Sequence, residues 1–253
     1  MTTGRCTMKQ KSQIIANLVT KYLPSDYKGR TPVILDVGCG DGSTVRDLRN
    51  EGYDAYGCDV EFKNKADLAR TELLERGYVR QIGSGANQQL PFKDNQADLV
   101  YSDQVIEHVE DLDSFFQEVA RVCKPEGVSF HYFPSNNKPL EPHVNIPLAT
   151  KIQNKKWIHF WKHMPVPNIP RTEWGRRGVD SIHNYLHHKT HYRTSPQIYN
   201  LALTYFQNVF WDPDTLLRSM NFRKTAQMIR AVPGGPWLFN ALWSKILVCK
   251  EPL

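Results

Sequence analysis
Residues 34–42 read Ile34-Leu35-Asp36-Val37-Gly38-Cys39-Gly40-Asp41-Gly42, and they decide the fold of this 253-residue chain. The apolar run from residue 32 to 37 predicts a short buried strand, and the glycines that follow end it in a tight turn. Residues 43–50 then predict a helix. A strand, a glycine-rich turn and a helix in that order form the opening half of a βαβ unit, which places the turn at the carboxyl edge of a parallel sheet.

Working outward, strands are expected at 55–60, 79–82, 97–102 and 128–133, separated by helices at 65–75 and 112–123. Lys124-Pro125-Glu126-Gly127 stops the last helix. An amphipathic helix over 8–22 leads in, with Ile14, Ile15, Leu18, Val19 and Tyr22 on one face. Strands that alternate with helices predict an α/β fold around a doubly wound, mostly parallel sheet. After Pro134 the rhythm breaks into a proline-dense stretch rich in His, Lys and Trp. We therefore expect a core at 1–135, an inserted and mainly helical lid or substrate region at 136–195, and completion of the core sheet by 196–253. In that last part, helices are expected at 201–206 and 213–219, and strands at 222–229 and 245–250.

The turn also carries chemistry. Glycines let the backbone approach a ligand closely, and Asp59, about twenty residues on at the end of the second strand, stands where a carboxylate accepts hydrogen bonds from both hydroxyls of a ribose. A dinucleotide fingerprint needs a third glycine where this chain has Ser43. The acid at Asp36 would repel a pyrophosphate but suits the ammonium of an amino-acid moiety. The three features together favour S-adenosylmethionine over NAD.

With these residues in hand, 33–135 resemble the class I S-adenosylmethionine-dependent methyltransferases. The matching pieces are the 34–42 turn, Cys58-Asp59, Leu90-Pro91-Phe92, Ala97-Asp98-Leu99-Val100, Val105-Ile106-Glu107-His108-Val109 and the 124–127 turn. The resemblance implies a seven-stranded Rossmann-like sheet with S-adenosylmethionine as cofactor. It implies cofactor contacts from Asp36, Gly38, Cys39, Gly40 and Gln104, ribose contacts from Asp59 and Val60, and an adenine flanked by Asn87 and Gln88. The family often has an Asp at that adenine edge, and Asn87 replaces it here.

Methyl transfer from a sulfonium is an in-line displacement that positioning alone can accelerate, while a hydroxyl acceptor gains further from a general base. Gln104, Glu107 and His108 stand at i, i+3 and i+4, which places them on one face at the start of the helix after the fourth strand. His108 is a candidate base, or a residue that merely bonds the neighbouring loop. Relatives that methylate small RNAs or ubiquinone precursors show Glu-x-x-Glu-His as metal ligands. Gln104 replaces their first carboxylate, which weighs against a hard divalent cation. Glu141 and His143, in the loop leaving the fifth strand, are a second candidate catalytic pair, with Val144 and Ile146 as apolar anchors; the alternative is a pairing between themselves or with Lys138. That loop resembles a short segment of methyltransferases associated with surface polysaccharides. His183, His187 and His191 would stack on one helical face; a solvated or substrate-facing basic patch is favoured over a zinc site.

Charge divides the chain. Residues 1–130 carry 16 basic and 20 acidic side chains, whereas 131–253 carry 16 and 6, with all six tryptophans and eight of nine histidines. Trp157, His159, Trp161 and His163 interleave with Lys155, Lys156 and Lys162. Such a stretch suits a sugar platform, an RNA surface or an anionic membrane surface bearing a lipid-linked substrate, and some of its aromatics belong to a small core of the lid itself. The expected acceptor is a sugar, glycan or related small molecule, with nucleic acid second. Five scattered cysteines suggest reduced thiols, and neither a signal peptide nor a 20-residue apolar span is expected, so the chain reads as cytoplasmic.

Overall fold
The computed structural model describes residues 8–23, 30–62, 68–83, 89–164, 176–219 and 223–253. The elements are α1 (Met8–Tyr22), β1 (Val33–Val37), α2 (Ser43–Asn50), β2 (Asp54–Asp59), α3 (Leu68–Glu75), β3 (Val79–Gln81), β4 (Ala97–Asp103), α4 (Leu112–Val122) and β5 (Cys123–Pro134). They continue with α5 (Lys155–His163), α6 (Val179–Lys189), α7 (Ser195–Ala202), β6 (Phe206–Trp211), α8 (Pro213–Ser219), α9 (Arg223–Ala231), α10 (Gly235–Leu242) and β7 (Ser244–Pro252). Seven strands form one sheet in the order β3-β2-β1-β4-β5-β7-β6, with β7 running antiparallel between β5 and β6. The reversal of strand order between β1 and β4 opens a crevice at their carboxyl ends, the place where open α/β sheets take ligands. Among the described residues, no helix is long and apolar enough to cross a membrane.

Two apolar layers cover the sheet. Ile15 and Leu18 of α1 with Val45 and Leu48 of α2 pack on Ile34, Leu99 and Phe130. On the other face Phe116, Val119 and Val122 of α4 with Ile198 and Ala202 of α7 pack on Leu35, Val100 and Leu247. A third, smaller cluster lies in the segment between β5 and α7, where Val144, Ile146 and Ala149 meet Ile158 of α5 and Ile182 and Leu186 of α6. Trp157 and Trp161 lie against it, and the Trp157 indole N–H donates to the Pro147 carbonyl at 2.7 Å. Phe160 is half exposed.

The sequence placed three features differently. Residues 222–229 were expected as a strand, yet α9 occupies Arg223–Ala231, and the strand is β6, which starts at the last residue of the helix expected over 201–206 and runs through residues given no element. Residues 222–229 mix four apolar residues with Arg, Lys, Thr and Gln, a short pattern that suits either element. The helix stops before Lys124–Gly127 as expected, but β5 begins at Cys123 and not at Val128: Ala97 faces Cys123 and Leu99 faces Val128, so the intervening residues bulge out of β5. His191 lies beyond the end of α6, so only His183 and His187 stack, with ring centroids 5.7 Å apart.

Candidate active site
The turn after β1 is held by its own backbone. The Gly38 and Cys39 N–H groups both donate to the Cys58 carbonyl, at 2.8 and 3.1 Å, which locks the turn to the end of β2. Gly38 has φ +78°, and a Cβ there would lie 2.2 Å from Val105 Cγ2, so neither the conformation nor the space admits another residue. Gly40 has φ +60° and a Cβ there would meet nothing within 4 Å. The turn therefore packs tightly on one side and stays open on the other. The Cys39 side chain is buried beside Gly57, so its backbone is the part left to face a ligand.

Asp59 closes the open side. Its carboxylate accepts from the Gly40 N–H at 2.7 Å and from the Glu61 N–H at 3.1 Å, one bond to each oxygen. Each oxygen keeps a second lone pair for a hydroxyl donor. Val60, next along, is exposed. Asp36 is buried, and burial pushes its carboxyl up to about 7, with Lys11 opposing and Asp103, Asp59 and Asp41 adding to the rise. Lys11 of α1 bonds Asp103 at 2.5 Å, which brings that helix to the same edge. A buried acid with a raised pKa beside an open glycine turn fits the ammonium end of S-adenosylmethionine, and Asp59 fits its ribose. Asn87 and Gln88 lie outside the described residues.

The residues after β4 depart from the expected helix. Gln104 takes φ +58° and its N–H donates to the Tyr132 carbonyl at 2.8 Å, joining the ends of β4 and β5. A single 3-10 turn covers Ile106–His108, and α4 begins only after Asp111, whose side chain caps it through the Ser114 N–H at 3.1 Å. Gln104, Glu107 and His108 thus share no helical face. Glu107 points inward and is buried, whereas His108 is exposed. α4 starts at Leu112, where the sequence placed it, so the 104–108 spacing was counted outside the helix that the Asp111-x-x-Ser114 cap opens.

The loop leaving β5 supplies a dyad. Glu141, fully buried, accepts four hydrogen bonds: the His143 and Val144 N–H groups on Oε2 at 2.8 and 2.7 Å, and His143 Nδ1–H and the Tyr192 hydroxyl on Oε1 at 2.7 and 2.6 Å. Burial alone would push Glu141 up. The bonds from His143, Tyr192 and Val144 outweigh it and hold the carboxyl below its ordinary range. Burial and the Glu141 charge raise Tyr192 far above the ordinary tyrosine range, so it stays a donor. Nothing in the spacing of the sequence pointed to Tyr192, which arrives from beyond α6.

These two regions meet. The His108 and His143 rings lie 4.9 Å apart, edge to face, and Glu107, His108 and His143 each offer a ligand atom within 4.8 Å of the others. His108 Nδ1 bonds the Lys189 carbonyl at 2.5 Å, and the His191 N–H donates to the Glu107 carbonyl at 2.6 Å, so the chain after α6 is stitched over the 3-10 turn. Both Glu107 carboxylate oxygens are buried without a hydrogen-bond partner. Burial pushes this carboxyl up to about 8, with Asp103 and Glu141 adding to the rise. A cavity of about 790 Å³ lies elsewhere, between Tyr56, Arg80, Phe92 and Arg121, and contains none of these groups.

Residues 35–130 match the model of the methyltransferase domain. That stretch is similar to the methyltransferase domain over its whole βαβ core. Its cofactor is S-adenosylmethionine. The domain's curated relatives include a norajmaline N-methyltransferase of Rauvolfia serpentina, 28% identical over 56% of this chain and 54% of that protein. They also include a ubiquinone biosynthesis O-methyltransferase of Sinorhizobium medicae, 30% identical over 46% of this chain and 48% of that one. The matched segments thus span about half the length of these relatives. The crystal structure of the PH0226 protein from Pyrococcus horikoshii shares the fold, with a TM-score of 0.51 and 19% identity over 96% of this chain and 90% of that one.

Proposed function
We propose that this chain transfers a methyl group from S-adenosylmethionine to a hydroxyl of a sugar, glycan or related small molecule. The observation that carries the oxygen acceptor is the Glu141–His143 dyad beside His108, next to the carboxyl ends of β4 and β5. An amine with its lone pair free attacks a sulfonium unaided, whereas an alcohol gains from a positioned base that takes its proton. A buried carboxylate with four hydrogen bonds, one from an imidazole, is the arrangement that fixes a tautomer and stabilises the imidazolium.

Bound S-adenosylmethionine supplies an electrophilic methyl group whose carbon–sulfur bond breaks as the acceptor oxygen attacks in line. Asp36 neutralises the cationic amino-acid end, Asp59 holds the ribose, and the Gly38–Gly40 backbone sets the depth of the site. Val60 and Gln104 flank the same edge, and Asn87 and Gln88 belong to the adenine side by family pattern. With Nδ1–H bonded to Glu141, His143 takes the hydroxyl proton on Nε2, and Glu141 balances the charge that results. His108 narrows the approach beside it. Residues 136–195, with their own small core, act as the lid that bears the acceptor.

Glu107, His108 and His143 also fit a divalent cation, because a buried carboxylate without partners and two imidazoles make a mixed oxygen–nitrogen donor set. Such a set suits zinc or manganese better than magnesium. Held there, a cation would act as a Lewis acid on the acceptor hydroxyl in place of His143 as base, because Nε2 of His143 would then be a ligand.

The deciding experiment supplies S-adenosylmethionine labelled in its methyl group with pools of sugars, lipid-linked glycans and RNA. Label in an ether of the sugar or glycan fraction, lost in His143→Ala, supports the reading. Label on nitrogen or carbon, or on RNA alone, would refute it. Tight cofactor binding with no labelled pool would favour a regulatory subunit instead.

A further inference from the structure
The helical pair α9–α10 lies outside the machinery described above and displays apolar surface. Met228, Trp237, Leu238 and Trp243 are each more than half exposed, with Val232 and Leu242 beside them. These six large apolar side chains fall within sixteen consecutive residues on two short helices that pack on each other, a density unlike the single exposed residues usual on a soluble protein. The pair is held as one unit. Gly234 takes φ +74°, and a Cβ on Gly235 would lie 1.9 Å from the Ile229 carbonyl oxygen, so α10 folds back directly on the end of α9.

The charge around this surface is one-sided. Residues 215–243, which hold α9 and α10, contain four basic and no acidic residues, while Lys245 beyond them is buried with its ammonium on the Asn240 carbonyl. Asp214, at the edge, pairs with Arg218 and Arg230. Arg223 and Lys224 open α9, and Lys138 places its ammonium 5.6 Å from the centre of the Trp243 ring. Tryptophan and leucine beside lysine and arginine are the composition of a surface that seats in a lipid headgroup layer, where the rings occupy the interface and the cations meet anionic lipid.

We propose that α9–α10 docks the chain onto an anionic lipid bilayer surface. The patch is continuous with the acceptor side of the fold. The Ser135 N–H donates to the Trp243 carbonyl at 3.3 Å and its hydroxyl to the Ala241 carbonyl at 2.7 Å, just where the chain leaves β5 toward Glu141 and His143. Under the function proposed above, on which this last link alone rests, docking brings a lipid-borne acceptor near the dyad.

The test is sedimentation of the full chain with phosphatidylcholine vesicles, with and without phosphatidylglycerol, in the absence of any methyl acceptor. The wild type is expected to pellet with the anionic vesicles and to release as salt is raised. A variant combining Trp237→Glu and Leu238→Glu is expected to lose on the order of tenfold or more in partitioning. Leu203→Glu, at an exposed leucine just after α7, is expected to behave as wild type. Quenching of wild-type tryptophan emission by brominated phosphatidylcholine in the same anionic vesicles reads insertion directly, should the double variant fail to fold. A wild type that stays in the supernatant and is not quenched overturns the proposal. So does a wild-type dimer in solution that the double variant converts to monomer without any vesicle binding, which would assign the face to a second copy. Because no turnover is measured, failure here leaves the proposed function standing, and failure of that function leaves this surface standing.

Discussion
Replacing Asp36 by Asn should stabilise the cofactor-free protein at alkaline pH while weakening its grip on the cofactor. The buried carboxyl has its pKa pushed up to about 7, against 3.8 when solvated. Between those two values the unfolded chain has lost the proton and the folded chain still holds it. Folding stability therefore falls as pH rises across that window and levels off above about 7. The full cost is about three pKa units at ~1.4 kcal/mol each, or roughly 4 kcal/mol. Asn matches the protonated carboxyl in shape and never pays this cost. For a chain of this length the unfolding entropy is about 0.5 kcal/mol/K, so the variant should melt roughly 8 °C above wild type at pH 8 and within a degree or two of it near pH 4. The assay is thermal melting across that range without cofactor. The bound ammonium of S-adenosylmethionine would relieve the same cost, so its affinity for wild type should rise by up to about tenfold per pH unit toward 7 and then flatten. In Asp36→Asn the affinity should be weak and nearly flat. A variant no more stable than wild type at pH 8, or one with an equal advantage at both ends of the range, would refute the assignment of a suppressed charge at this position.

Four further outcomes are expected. Asp59→Ala should weaken S-adenosylmethionine by about 2–3 kcal/mol in calorimetry, the worth of charge-assisted bonds to two hydroxyls, and an unchanged affinity would remove Asp59 from the site. His143→Ala should cut turnover by about 10²–10⁴-fold with cofactor affinity retained, and Glu141→Gln should fall in between; equal loss of cofactor binding would make the dyad structural. Zinc or manganese titrated into wild type should raise its melting temperature, and no such rise is expected in Glu107→Gln. Turnover that survives EDTA, together with no melting shift, would remove the cation. Gly38→Ala should destabilise by about 2–4 kcal/mol, from the left-handed backbone and the Val105 clash together, and adding Val105→Ala should recover only the clash.

How legible this protein was in its sequence depended on whether a residue's neighbour in space was also its neighbour in the chain. The turn at 34–42, the strands flanking it and Asp59 are local: alternation, glycine spacing and a twenty-residue offset specify them, and each lies where those patterns place it. The Glu141–His143 pair was visible for the same reason, two residues apart in one loop. Gln104, Glu107 and His108 misled because a helical offset means a shared face only inside a helix, and the helix expected and found at Leu112 begins after them. Tyr192 could not be found at all, since it reaches Glu141 across 51 residues of chain. The missed strand β6 has a related cause, although the helix at 213–219 and the strand at 245–250 lie where expected. β6 pairs only with β7, antiparallel, at the sheet's edge, so one face of a short run is all that its sequence must keep apolar.

The charge division now has a structural content that composition could not give it. In the acidic half, Asp36 and Asp59 stand at the open glycine turn, with Asp103 bonded to Lys11 close by, so the negative charge is concentrated where a cationic ligand would enter. In the basic half, the lysines and arginines divide between two places. Some lie along α5 and α6 around a core of their own, where Lys155 already pairs with Asp180. Others surround α9–α10, where no acid follows Asp214 for 36 residues and tryptophans stand exposed. A basic surface meant for a polyanion in a groove would need cations along a concave track, with aromatic faces between them for bases. The exposed rings here share a helical pair with exposed aliphatic side chains, and apolar surface of that kind gains nothing from a phosphate backbone. It gains from lipid. On the docking proposed above, the positive charge beside α9–α10 belongs to a surface on which the chain seats and not to a polymer that it reads.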